Sequence, residues 1–361
     1  MIGPMRSILL AAILLSASLS SAHAEADHAA IARDALTQVI RPGYDASAAT
    51  SSVLKDKTDA LCAAPSVAAF EAVRDAFAAT VESWSRVEIF RFGPVNRDHR
   101  YESVFFWPDP KGIGMRQVRR ALFEKDETVL QPETLAKKSV ALQGLPALEY
   151  LLYGEGAEAL AAGEDAAFRC RFAASIAANV ANIAESVKQD WSASGAFTKE
   201  FLEPGPNDPL YRAPKDVTLE LFKAFTGGIE LVRDQKLGKP LGELAERARP
   251  RLAAFWRSGL SFSNMTGNLQ AVRALFAKGG FAGVVASQSP GVEDSVLFDL
   301  THAIGVLGAI DQPLAEAVRD SATRGKLIAL RVALKSARDT AGKLIAEGAD
   351  LSFGFNAMDG D

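Results

Sequence analysis

Apolar positions along this chain recur every three or four residues, and strict apolar–polar alternation is scarce. Over SVAAFEAVRDAFAATVESWSRVEIF (66–90) the repeating set is Val67, Phe70, Val73, Phe77, Val81 and Trp84. Such spacing places all six on one side of a helix. Residues 164–192, 214–235, 291–309 and 323–347 carry the same period over long stretches. Shorter helices are predicted over 27–40, 47–63, 114–124, 132–153, 242–256 and 264–278. Pro65-Ser66 is a start signal for the helix that follows, and Thr323 is a candidate cap for the last one. The pattern predicts an all-α protein of antiparallel helices packed as bundles.

The periodicity lapses twice. GAFTKEFLEPGPNDPLYRAPKD (195–216) holds prolines at 204, 206, 209 and 214, and proline ends helices. It divides the chain into an N-terminal helical domain over 25–195, a proline-rich linker over 196–216 and a C-terminal helical domain over 217–361. Each side has helices enough for a four-helix bundle. RFGPVNRDHRYESVFFWPDPKG (91–112) is the second lapse and lies inside the first half. Long loops inside compact domains are uncommon and often functional. Within it, Trp107-Pro108 calls for an extended backbone that either walls a pocket or closes a bundle end.

The N-terminus adds a destination. MIGPMR, the apolar run ILLAAILL and Ala22-His23-Ala24 read as a secretory signal peptide over 1–24, cleaved before Glu25. A periplasmic product is expected. No other segment approaches about 18 uninterrupted apolar residues, so no membrane span is expected in the mature chain. The formal net charge of −4 argues against nucleic acid, which requires a concentrated basic face. Cys62 and Cys170 would meet an oxidising compartment. They form either a disulfide or two buried thiols.

The chemistry centres on QGLPALEYLLYG (143–154). Leu145, Leu148 and Leu152 share a helix face with Glu149, and the other faces are apolar too. A carboxylate in such a helix is paired, protonated or bound to something, because an isolated buried charge costs several kcal/mol. Gly144 ends the preceding helix and Pro146 suits the first turn of this one. The expected counter-ion lies in WSRVEIFRFGP (84–94), where Arg86, Glu88 and Arg91 stand among Trp84, Phe90 and Phe92. A guanidinium there could pair with a carboxylate and stack on a ring. The plainer alternatives are a structural ion pair at Glu149 and a solvated helix end at 86–91. The tail GFNAMDGD carries Asn356 and Asp359, oxygen groups suited to a hard cation, although a terminus with Phe353 and Phe355 could simply dock on the body. There is no HExxH, GxSxG, P-loop or CxxC. His302, in an apolar helical run, is expected to be a satisfied core histidine.

At WSRVEIFRFGPV, FWPDP, VALQGLPALEYLLYG and GFNAMDGD the chain resembles the imelysin-like family of bacterial iron-regulated, exported proteins. The resemblance implies two four-helix-bundle-like domains around an interdomain cleft, a site at their junction and a role in iron acquisition. Some members are classed as metallopeptidases. The family's GxHxxE motif survives here as Gly144 and Glu149 only, with Pro146 where histidine stands. Proline has no lone pair for a metal. The leading expectation is therefore a non-enzymatic protein that binds a small ligand or an envelope iron-acquisition partner. Glu149 would be held by Arg86 or Arg91, with Trp84, Phe92 and Trp107 about the site. No resident cofactor is expected; iron or another divalent cation is a possible ligand. One rival is a metallopeptidase-like hydrolase drawing ligands from elsewhere, such as His302 or Asp359. Another is an envelope scaffold that recruits a partner through loop 91–112.

Overall fold

The computed structural model describes residues 26–162 and 166–351, and among these there are helices and turns but no β-strand. Helix α1 (His28–Ala35) starts at Asp27, whose side chain accepts the Ala30 N–H. It does not stop at Arg41-Pro42-Gly43. A π-turn over Leu36–Ile40, with the Arg41 N–H donating to the Leu36 carbonyl, carries it into α2 (Arg41–Ala63). Proline has no N–H to donate and its ring crowds the carbonyl four residues back; a wider turn accommodates both. Thus the two helices expected over 27–40 and 47–63 form one continuous run.

Helix α3 (Val67–Ser85) begins at Ser66, which accepts the Ala69 N–H. It unwinds at Arg86, short of the predicted end. The segment expected as one helix over 132–153 is three pieces: Pro132–Leu135, a 3-10 turn at Val140–Leu142 and α4 (Gly144–Tyr153). Helix α5 (Ala167–Asp190) packs on α2 and α4, and α2 on α3. These contacts bury Leu54, Phe77, Val81, Leu148, Phe172 and Ile176. Cys62 and Cys170 are disulfide-bonded, with Cα atoms 5.5 Å apart, tying the end of α2 to the start of α5 across 108 residues. A loop of that length is strongly restricted in the unfolded chain.

The stretch assigned as a linker from 196 opens instead as a helix, Ala196–Leu202. Phe197 and Phe201 are fully buried and set their rings edge-on to Trp191. Aromatic burial outweighs the nearby prolines. Beyond it, α6 (Pro214–Glu230) runs through a π-turn at Leu231–Gly238. Helices α7 (Ser261–Lys278), α8 (Val292–Gly308) and α9 (Ser321–Gly348) complete the packing of the second half. The cap of α9 is Asp320, which accepts the Thr323 N–H, rather than Thr323 itself. His302 is exposed on α8 and stacked on Phe298, not in the core as expected. The helix turns its apolar side at Val296, Leu300, Ala303 and Leu307 inward, leaving His302 on the other.

One predicted helix does not form. Residues 242–256 hold only short 3-10 turns at Ala245–Arg247 and Pro250–Leu252, and Phe255 sits at a φ of +55°. Pro250 removes a helical donor, and the following residues spend their N–H groups elsewhere. The halves meet where α1 packs on α6 and α3 on α7. One contiguous buried cluster runs through both. Among the described residues no single helix is long and apolar enough to cross a membrane.

Candidate functional site

Helix α4 starts at Gly144, which has a φ of +74°, and a Cβ there would overlap the carbonyl oxygens of Ser103 and Val104. The glycine lets α4 sit directly on the chain before the Phe105–Pro108 segment. Gly144→Ala is expected to cost on the order of 1–3 kcal/mol in urea unfolding. An unchanged midpoint would show that this backbone contact is not needed.

Five residues on, Glu149 is 3% exposed. Its Oε1 accepts the Arg257 N–H at 3.0 Å, the Ser258 N–H at 2.9 Å and the Ser258 hydroxyl at 2.8 Å. The Arg257 guanidinium stands 3.9 Å from Oε2. Burial pushes the carboxyl above its ordinary range, and the bonds from Ser258 and Arg257 pull it back. The carboxylate is therefore a clamp on a backbone turn from the other half of the chain.

Neither arginine expected to neutralise it does so. Arg86 donates to Glu82 at 2.6 Å and to Gln270 at 3.0 Å. The Arg91 guanidinium lies over the Tyr101 ring, 4.4 Å from its centroid. Helix α3 ends at Ser85, and there Arg86 reaches back one turn to Glu82 while the following turn lays Arg91 on Tyr101.

Glu88 has a different fate from a solvated helix end. It is 0% exposed and pairs with Lys236, itself 1% exposed, from the π-turn of the second half. Lys236 Nζ donates to Glu88 Oε2 at 2.6 Å, Asn264 Oδ1 at 2.5 Å and Asn268 Oδ1 at 2.7 Å. The two amides donate in turn to Glu88 Oε2, Asn264 also to the Ser85 hydroxyl and Asn268 to the Ser85 carbonyl. Burial lowers the Lys236 ammonium to about 8, with Glu88 opposing.

Between the two acids runs the aromatic strap Phe105–Trp107. Lys236 Nζ lies 5.4 and 5.7 Å from the Phe105 and Trp107 centroids. Phe105 stacks on Phe255 at 5.2 Å, and Trp107 donates its indole N–H to the Leu252 carbonyl at 3.1 Å. On the Glu149 side this strap walls a cleft of about 390 Å³, reached also by Pro146, Tyr150, Lys239, Arg251, Trp256 and Arg257. On the other side Trp107 and Pro108 bound a second cavity of about 300 Å³ with Arg91 and Phe92. Phe105 is buried and Phe106 and Trp107 are half-buried, all three lining the cleft. Trp84 is not at the cleft; it packs in the first bundle against Tyr101 and Phe105. Asn356 and Asp359 lie outside the described residues.

The groups around Glu149 do not fit a metal ion. Oε1 already takes three donors, a guanidinium faces Oε2, and Pro146 lines the cleft where the motif has histidine. Among the described residues no three His, Cys, Asp or Glu side chains converge as a metal site.

Sequence reasoning missed Lys236, Asn264, Asn268, Arg257 and Ser258. Asn264 and Asn268 did leave a signal: two amides four residues apart, hence on one face, in the apolar run of α7. Arg257 and Ser258 left little, because two of their three hydrogen bonds to Glu149 come from backbone N–H groups, just past a segment whose composition looks helical.

The family model described as Imelysin (peptidase M75) matches residues 40–341. Iron-regulated protein A of Synechococcus elongatus is 24% identical over 317 residues, covering 84% of this chain and 82% of that protein. The crystal structure of an imelysin-like protein from Psychrobacter arcticum superposes with a TM-score of 0.73 at 18% identity, covering 91% of this chain and 97% of that one. A candidate iron-regulated protein A precursor from Parabacteroides distasonis gives 0.74 at 12% identity, covering 89% and 94%.

Proposed function

This chain belongs to the imelysin family, and from that membership we propose that it is an exported, non-enzymatic component of bacterial iron acquisition that binds a small ligand in the cleft at Glu149. The observation carrying the reading is the clamp itself. A buried carboxylate from the first half fixes residues 257 and 258 of the second, and so sets Trp256 and Arg257 into the wall of a cavity of about 390 Å³. That volume is in the range of small-molecule sites, with aromatic walls and a few polar groups. The name of the Synechococcus relative supports a link to iron supply, and the leader-like first 24 residues support export to the periplasm. A hydrolase would have to find its ligands away from Pro146 and the saturated Glu149 oxygen. A scaffold reading is less favoured, since the loop aromatics turn into the cleft.

The test is native purification from the periplasmic fraction of iron-limited cells, followed by mass spectrometry of released small molecules and metal analysis. The wild-type protein is expected to carry one compound near stoichiometric amount, and Trp256→Ala to carry clearly less of it, since losing an aromatic wall worth roughly 1–2 kcal/mol weakens binding about 5- to 30-fold. Equal content in both proteins, or none in either, contradicts the reading.

A further inference from the structure

We propose that the ligand of this cleft is an organic anion with a flat aromatic body, its acid group taken by Arg251, Lys239 and Arg257. The inference rests on the cleft reading above and adds the chemistry of the occupant. The acids that line the cleft are already satisfied. Glu149 Oε1 takes three donors. Asp109 accepts the Ile113 N–H on one oxygen and the Gly114 N–H on the other, each at 2.8 Å. The cations have no close carboxylate, although Arg257 donates one N–H to the Met115 sulfur at 3.1 Å. Among the described residues neither Arg251 nor Lys239 has an ion-pair partner, and Arg257 has only the 3.9 Å approach to Glu149.

The two guanidiniums also work against each other. The Arg257 guanidinium is held below its usual range by burial, Glu149 opposes this, and Arg251 adds to the lowering. An anion between them would relieve like-charge repulsion and offer the planar acceptor that a guanidinium fork matches. Both guanidiniums lie over Trp256, Arg257 at 4.3 Å and Arg251 at 5.5 Å from the ring centroid. The rings of Trp107 and Tyr150 line the same space. An aromatic acid would place its ring among these side chains and its charge at the rim, where Lys239 and Arg251 are exposed.

The probes are 2-naphthoate, 2-naphthamide and 2-naphthylmethylammonium, which share a ring system and differ in charge. Binding is followed by ligand-observed NMR on the wild type, on Trp256→Ala and on the double variant Arg251→Gln with Lys239→Gln. The naphthoate is expected to bind at least about tenfold tighter than the amide, with the ammonium weakest, and raised salt should shrink the ratio. The double variant should lose most of that ratio while keeping its affinity for the amide. If the amide or the ammonium binds as tightly as the acid, or the double variant keeps the full preference, the anion assignment is overturned while the cleft stands. If no probe binds, or Trp256→Ala binds all three as the wild type does, the cleft reading falls with it.

Discussion

Lys236→Met lowers the stability of this protein by about 3–5 kcal/mol, the usual consequence of removing one partner from a buried ion pair. Glu88, Asn264 and Asn268 all direct oxygen atoms at the ammonium within 2.7 Å. Methionine fills the space of the stem but leaves the two amide oxygens without their donor and the buried Glu88 charge without its cation, although Glu88 Oε2 keeps the N–H groups of Asn264 and Asn268. The effect should be shared between halves, because Ser85 and Glu88 belong to the first and the lysine and both asparagines to the second. Glu88→Gln with Lys236→Met should then be less destabilised than the sum of the two single variants, since the first change removes the charge that the second leaves alone. Urea unfolding of the four proteins at neutral pH measures this. Single losses below about 1 kcal/mol, or strict additivity, would mean that the pair is not a coupled unit.

The second large effect is at Glu149. Glu149→Leu leaves the half-buried N–H groups of Arg257 and Ser258 without their acceptor, while the Ser258 hydroxyl keeps the Phe255 carbonyl, and should cost about 2–4 kcal/mol. Glu149→Gln keeps an oxygen in place and should cost less than about 1 kcal/mol at neutral pH. The two variants also separate through pH. The folded carboxyl lies above its ordinary value of 4.5 because of burial, so the folded chain holds that proton more tightly than the unfolded one. Its contribution is fully present below 4.5 and is lost as pH rises through the folded value. The stability of the wild type relative to Glu149→Gln should therefore fall from pH 4.5 towards neutrality. A constant difference across that window would show that the carboxyl is not raised.

The fold class was written plainly in the spacing of apolar residues, because a helix repeats its buried face every three or four positions whatever it packs against. Breaks were harder. Pro42 sits inside a continuous helical run because a π-turn absorbs it, and Phe197 and Phe201 turn a proline-bounded linker into packed structure. The site was half legible. Glu149 announced itself as a carboxylate in an apolar helix, and Glu88 stood beside it in the candidate set. Their partners did not show. A side chain that seeks a counter-ion can be satisfied equally well by backbone N–H groups, and these carry no residue-type signature. Lys236 was hidden for the opposite reason: a lysine among charged neighbours in LVRDQKLGKP reads as solvated, and only the tertiary fold shows that two asparagines on α7 enclose it.

Hydrogen–deuterium exchange at the Arg257 and Ser258 amides, compared between the wild type and Glu149→Leu at neutral pH, probes the clamp at the bonds that define it. Both amides should be protected in the wild type. In the variant they should exchange about a hundredfold faster, the local opening expected when a bond of roughly 2–3 kcal/mol is lost, while the amides of α7 keep their protection. Equal exchange at 257 and 258 in the two proteins would mean that Glu149 does not hold this turn, and the cleft would need another origin.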